Sequence, residues 1–157
     1  DYGPMLRLDP AYAEKAARVS ALAKDITEYL AGLDLPQRQS QGLTVAYHSA
    51  CSMQHGQKIT LAPKQLLKAA GFIVRDPAEG HLCCGSAGTY NILQPEISGK
   101  LKARKVKNIE ATRADVIATG NIGCIMQIGT GTDMPILHTV ELLDWAYGGP
   151  KPARLSV

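Results

Sequence analysis

At 157 residues, 45% hydrophobic and 20% charged, the chain is long enough for one compact domain and too short for two of ordinary size. It is not polar enough to stay disordered, carries no apolar run approaching the ~18 residues of a membrane span, and shows no signal peptide. A net charge of +3 with one Trp, one Phe and six Tyr offers little to attract or stack nucleic acid, so no nucleic-acid partner is expected.

In chain order, residues 9–32 carry helix punctuation: Asp9 at the N-cap, Pro10 at the first helical position and Gly32 past the end. Ala13, Ala16, Val19, Leu22, Ile26 and Leu30 recur at spacings of three and four, which predicts one amphipathic N-terminal helix. The polar stretch 34–42 reads as a linker, dividing the chain into a helix-and-linker segment, 1–42, and a domain, 43–157. Residues 43–48 (LTVAYH) read as a buried strand, 63–70 as a helix closed by Gly71, and 72–74 as a second strand. A longer helix is expected over 95–112, with Ile97, Leu101, Val106 and Ile109 on its apolar side. Strands at 115–119 and 135–138 and a last helix through Trp145 complete the pattern. This alternation predicts an α/β fold: an open, mainly parallel, Rossmann-like sheet of roughly four strands with helices on both faces.

The four cysteines then fall in one kind of place. Cys51 follows the first strand, the adjacent pair Cys83-Cys84 follows the second, and Cys124 follows the third. Loops at the carboxyl ends of parallel strands converge, so thiols distant in sequence can meet there. A structural zinc site usually draws cysteines in pairs two to four residues apart. An adjacent pair has diverging side chains, which suits the larger body of an iron–sulfur cluster better. Gly85 and Gly88 after the pair, and Gly123 before Cys124, are expected to permit positive φ and close approach of backbone amides to sulfur. His48, His55 and His81 lie near cysteines in sequence and are expected to support the site by hydrogen bonding. His138, at a strand end, is a similar candidate.

Cys51, Cys83-Cys84-Gly85 and Cys124 together resemble the cysteine-rich CCG domain of heterodisulfide reductases and of iron–sulfur subunits of flavin-linked dehydrogenases. More narrowly, HLCCGSAGTYNILQPE at 81–96, GNIGCIMQ at 120–127 and HTVELLD at 138–144 are similar to the iron–sulfur subunits of bacterial glycolate oxidases, as are HGQK at 55–58 and DYG at 1–3. The resemblance implies that Cys51, Cys83, Cys84 and Cys124 are cluster ligands in an electron-transfer module with no catalytic residue of its own. It also implies FAD on partner subunits, electrons passing from glycolate to a quinone-type acceptor, and a cytoplasmic location peripheral to the inner membrane. Within the polypeptide, it implies a preceding CCG repeat and a ferredoxin-like region, this chain being the second repeat. Many CCG domains end in Cys-x-x-Cys, whereas here Gln127 stands at the last position. A site completed by the other repeat, or by an oxygen or nitrogen ligand, is therefore one expectation, and an empty site in the isolated chain is another.

The plain alternatives are inert buried thiols, a disulfide, or a zinc or metal-free docking domain; thiol–disulfide chemistry of the heterodisulfide-reductase kind is a further one. The basic run Lys100, Lys102, Arg104, Lys105 and Lys107 reads as a solvated helix face.

Overall fold

The computed structural model describes residues 2–38 and 41–155; Gln39 and Ser40 of the expected linker, and Asp1 of the DYG stretch, lie outside them. The described residues form a four-stranded, wholly parallel sheet: β1 (Thr44–Tyr47), β2 (Ile73–Arg75), β3 (Val116–Thr119) and β4 (Ile136–His138), in the order β2-β1-β3-β4. The register pairs Val45 with Val74 on one side and with Val116 on the other, and Ala118 with Leu137. The interior strands are short runs of apolar residues, as expected where both faces of a parallel sheet are covered.

Alternation along each strand divides the core into two layers. Val45, Tyr47, Val116, Ala118 and Leu137 face one side, where α4 (Ala62–Ala69) packs through Leu66 and Leu67, and α8 (Thr139–Ala146) through Leu142 and Leu143. Ala46, Ile117 and Ile136 face the other, against Val106 and Ile109 of α6 (Pro95–Glu110) and Ile128 of α7 (Ile122–Gly129). The expected architecture, with helices on both faces, is therefore the one observed. No helix among the described residues is long and apolar enough to cross a membrane.

The N-terminal segment departs from the single helix expected over 9–32. It forms α1 (Tyr2–Leu6), α2 (Ala13–Leu22) and α3 (Ile26–Ala31). Asp9 does not cap α2; its carboxylate accepts the amide of Ala11 in a local turn. The break comes at Asp25, whose side chain accepts the amide of Thr27 and starts a new helix. A side chain that satisfies a free helix N–H here competes with continuation of the preceding helix. Of the expected apolar stripe, Ala16 is buried and Leu30 packs against the core, whereas Val19, Leu22 and Ile26 remain exposed. On α6, Val106 and Ile109 are buried as expected, but Ile97 is exposed.

Three further elements lie where loops were expected. Residues after Cys51 form a π-helical turn, Ser52–Gln57, closed by Lys58 in the left-handed conformation. Residues after Asn121 form α7, and α5 (Tyr90–Leu93) precedes α6.

Candidate metal centre

The sheet order supplies the position of the site. From β1 the chain crosses to β2 on one side, then returns past β1 to β3 on the other, so the connections leaving β1 and β3 diverge. The crevice at such a switch point is where open parallel sheets bind ligands. Cys51 leaves β1 at the start of the π-helical turn, a distortion often associated with functional sites. Cys124 sits in the first turn of α7, its amide bonded to the side chain of Asn121 at 3.1 Å.

Cys83 and Cys84 arrive on the loop after β2, which is anchored from outside. Glu79 accepts hydrogen bonds from Arg104 and from Asn108, the latter at 2.8 Å, and its carbonyl accepts one from Lys105 at 2.9 Å. The Arg104 and Asn108 hydrogen bonds hold the Glu79 carboxyl down to about 2. Gly85 follows with φ +94°, and a Cβ there would stand 2.5 Å from the Ser98 carbonyl oxygen of α6. Its own carbonyl accepts the Ser98 hydroxyl at 2.8 Å. Gly85 is therefore needed both for its conformation and for close approach. Gly88 has φ +67° with open space around it. Gly123 serves differently from what the sequence suggested: it is helical, and its missing side chain leaves room for Ser86, whose Oγ would lie 2.9 Å from a Cβ.

All four cysteines thus line one cavity of about 350 Å³, with Ser86, Gly88, Asn121 and Gly123 among its walls. The Sγ atoms of Cys84 and Cys124 are 3.4 Å apart, and the Gly85 amide points at the Cys83 sulfur at 3.3 Å. The close contact between these two sulfurs sets their thiols apart, drawing Cys84 down to about 4 and pushing Cys124 far up. The nearby His48 and the Ser86 amide also favour the Cys84 thiolate. Burial, and then the Cys83 sulfur beside it, push Cys51 up to about 11. The cavity is therefore a set of soft donors, one of them already disposed to be anionic, beneath oriented amides and a helix N-terminus. This chemistry fits a thiolate-bound metal centre.

The histidines separate. His48 is 1% exposed, and one of its ring nitrogens lies with the Cys84 and Cys124 sulfurs in a set mutually within 4.8 Å. His55 and His81 do not reach the cysteine cavity. His55 is exposed against Gln54, and His81 lines a separate cavity of about 220 Å³ with Tyr47 and Lys64. Their closeness in sequence does not carry over because the π-helical turn and the Glu79 loop each direct them outward. His138 caps α8, its Nδ1 accepting the Val140 amide while Glu141 bonds back to its own amide. Gln127 is committed elsewhere: its amide donates to Ser98 at 2.8 Å and accepts from Asn91 at 3.3 Å.

One site residue escaped the sequence. Lys105 belongs to the basic run read as solvated, yet it is fully buried. Burial lowers its affinity for a proton, and the Cys51 and Cys84 sulfurs are first among the groups that restore it. The remaining basic residues fit the solvated reading, with Lys100 paired to Glu96 and Arg104 to Glu79. The available signal was helical spacing: Lys105 is adjacent to Val106 and four residues before Ile109, on the buried side of α6.

Comparison with known proteins gives the same outline. The CCG family, described as a cysteine-rich domain, matches residues 45–129. The chain is 35% identical over 147 residues to the glycolate oxidase iron-sulfur subunit of Escherichia coli, covering 93% of this chain and 36% of that protein. It is 34% identical over 159 residues to the "Probable glycolate oxidase iron-sulfur subunit" of Bacillus subtilis, covering 94% of this chain and again 36% of the relative. It is also 29% identical over 154 residues to lactate utilization protein A of Bacillus licheniformis, covering 64% of that protein. The chain thus spans little more than a third of the length of the first two relatives.

Proposed function

Because this chain belongs to the cysteine-rich CCG domain family, we propose that it is an iron–sulfur electron-transfer module of a flavin-linked 2-hydroxy-acid dehydrogenase. The observation that carries this reading is the convergence of Cys51, Cys83, Cys84 and Cys124 on one cavity at the switch point of the sheet. Those four thiolates would hold the centre, with Gly85 and Ser86 amides directed at sulfur and Lys105 as a buried positive charge. When bound, an iron–sulfur cluster supplies reversible one-electron transfer at a potential set by charge, hydrogen bonds and exposure.

This chain's residues do the rest. The Glu79–Arg104 anchor and Gly85 fix Cys83 and Cys84, and the buried β1 and β3 hold Cys51 and Cys124 at a constant distance from them. A rigid frame around a redox centre keeps its surroundings unchanged between oxidation states. Among the described residues no carboxylate lines this cavity, and in this reading substrate oxidation belongs to flavin-bearing partner subunits. The names of the relatives favour glycolate as the electron source, with lactate next. In this reading a longer polypeptide contributes a second CCG repeat and a ferredoxin-like region, residues 43–157 form the cluster-binding unit, electrons leave towards a quinone-type acceptor, and the assembly works in the cytoplasm beside the inner membrane.

The test is to add glycolate or lactate anaerobically to the chain, within its complete subunit, together with its flavin partners. Glycolate is expected to reduce the cluster, and the chain alone is expected to oxidise neither acid. Turnover by the chain alone, with a dye as acceptor, would overturn the assignment of roles. A second reading, a zinc-holding docking domain, draws on the compactness of the His48–Cys84–Cys124 group, whose span also suits a single ion.

A further inference from the structure

His48 ends β1, its backbone amide bonded to the Ala118 carbonyl at 2.9 Å, so the main chain fixes where the ring begins. The side chain is 1% exposed, and Nε2 makes no hydrogen bond. A buried, unpaired ring nitrogen is uncommon, because buried polar groups nearly always find partners. One nitrogen of the ring has two sulfurs for neighbours: the ligand atoms of His48, Cys84 and Cys124 all lie within 4.8 Å of one another, all from buried residues. Imidazole nitrogen and thiolate together are a common donor set for zinc and for iron.

The other candidate for completing the set fails on geometry. Gln127 stands where many CCG domains carry their last cysteine, but both ends of its amide are occupied by Ser98 and Asn91. Turning it inward would break both bonds and leave the buried Ser98 hydroxyl with one partner fewer. His55, His81 and His138 are excluded by exposure or by capping.

We infer that His48 is a nitrogen ligand of the metal centre, binding alongside Cys84 and Cys124 and replacing the thiolate that Gln127 does not provide. This assignment rests on the reading of the cysteines as a metal centre. It carries a consequence for potential: a neutral imidazole in place of an anionic thiolate leaves the centre less negative, and histidine ligation raises the potential of iron–sulfur centres.

The experiment uses the chain reconstituted anaerobically with iron and sulfide, with histidine isotopically labelled at nitrogen, and pulsed electron paramagnetic resonance of the reduced state. A nitrogen coupling that follows the label is expected in the natural sequence. It should vanish in His48→Cys, where the other three histidines remain labelled, while metal is retained and the potential falls. A fall by a tenfold change in the one-electron equilibrium corresponds to about 59 mV. Iron present without histidine coupling, or coupling that survives in His48→Cys, would overturn the assignment. Should the protein take up no cluster, cobalt(II) is the probe. Labelled histidine in the cobalt sphere, and a loss of affinity in His48→Gln of at least ~10-fold, would uphold His48 while the iron–sulfur reading fails. A cobalt site without histidine would overturn it. The measurement on the natural sequence decides the matter even where a variant does not fold.

Discussion

Gly85→Ala isolates the positioning of the cysteine pair. Gly85 has φ +94°, and an added Cβ would lie 2.5 Å from the Ser98 carbonyl oxygen and 3.1 Å from its hydroxyl. Holding an alanine at positive φ costs about 1–2 kcal/mol. The close contact is with helix backbone, so no rotamer change relieves it, and displacing the loop breaks the Ser98–Gly85 hydrogen bond for about 1 kcal/mol more. A loss of about 2–3 kcal/mol follows, and at ~2–4 °C per kcal/mol for a chain of this size Tm should fall by roughly 5–10 °C. Gly88→Ala is the control: φ is +67°, but nothing lies within 4 Å of the added carbon, so only the conformational cost of about 1–2 kcal/mol applies. Thermal denaturation of both variants, with metal content measured on the same samples, is the assay. Gly85→Ala should be the less stable and should lose metal; equal stability of the two, with metal retained, would refute the close-approach argument.

Other outcomes follow from the same geometry. Lys105→Met removes a buried charge that has no carboxylate partner among the described ion pairs, so the metal-free chain should be at least as stable as before, whereas the metal-loaded chain should lose metal more readily. Melting curves with and without metal separate this from a merely structural lysine, which would cost both forms equally. Glu79 is drawn from 4.5 to about 2 by Arg104 and Asn108. A depressed carboxyl contributes stability that is present above its unfolded value and lost as pH falls towards the folded one. Protection of the amides of residues 79–85, taken relative to their intrinsic exchange at each pH, should therefore fall between about pH 4.5 and pH 2, and Arg104→Ala should narrow that window; unchanged protection in acid would show that the anchor does not hold the loop. Cys84→Ser should abolish metal retention more severely than Cys83→Ser, because Cys84 is the buried member of the pair and adjoins both Cys124 and His48; metal analysis of the two variants checks it.

The sheet was legible because its strands are short apolar runs, each preceded or followed by glycine or proline, and buried parallel strands have no other appearance. The convergence of the cysteines was legible for the same reason, since each follows a strand. The N-terminal helix was misjudged because periodicity runs through Asp25, and only the capping geometry shows that the chain starts afresh there. The environment of Cys124 was half legible. Gly123 suggested positive φ beside the cysteine, but Asn121 is a helix N-cap, and Gly123 is small so that Ser86 can sit against it. Separating His48 from His55 and His81 required tertiary structure, because all three are near a cysteine in sequence. Lys105 shows the limit of composition: one lysine in a basic run lies on the buried side of its helix, and burial rather than residue type sets it apart.

The central claim is that four cysteines from three separate connections, each following a strand, hold one iron–sulfur centre. Iron and acid-labile sulfide, measured on the anaerobically reconstituted chain with electron paramagnetic resonance of the reduced state, test it most directly. The account requires stoichiometric iron and sulfide, with a paramagnetic signal lost when either Cys84 or Cys124 becomes serine. Zinc without sulfide, or iron that survives both substitutions, would contradict it.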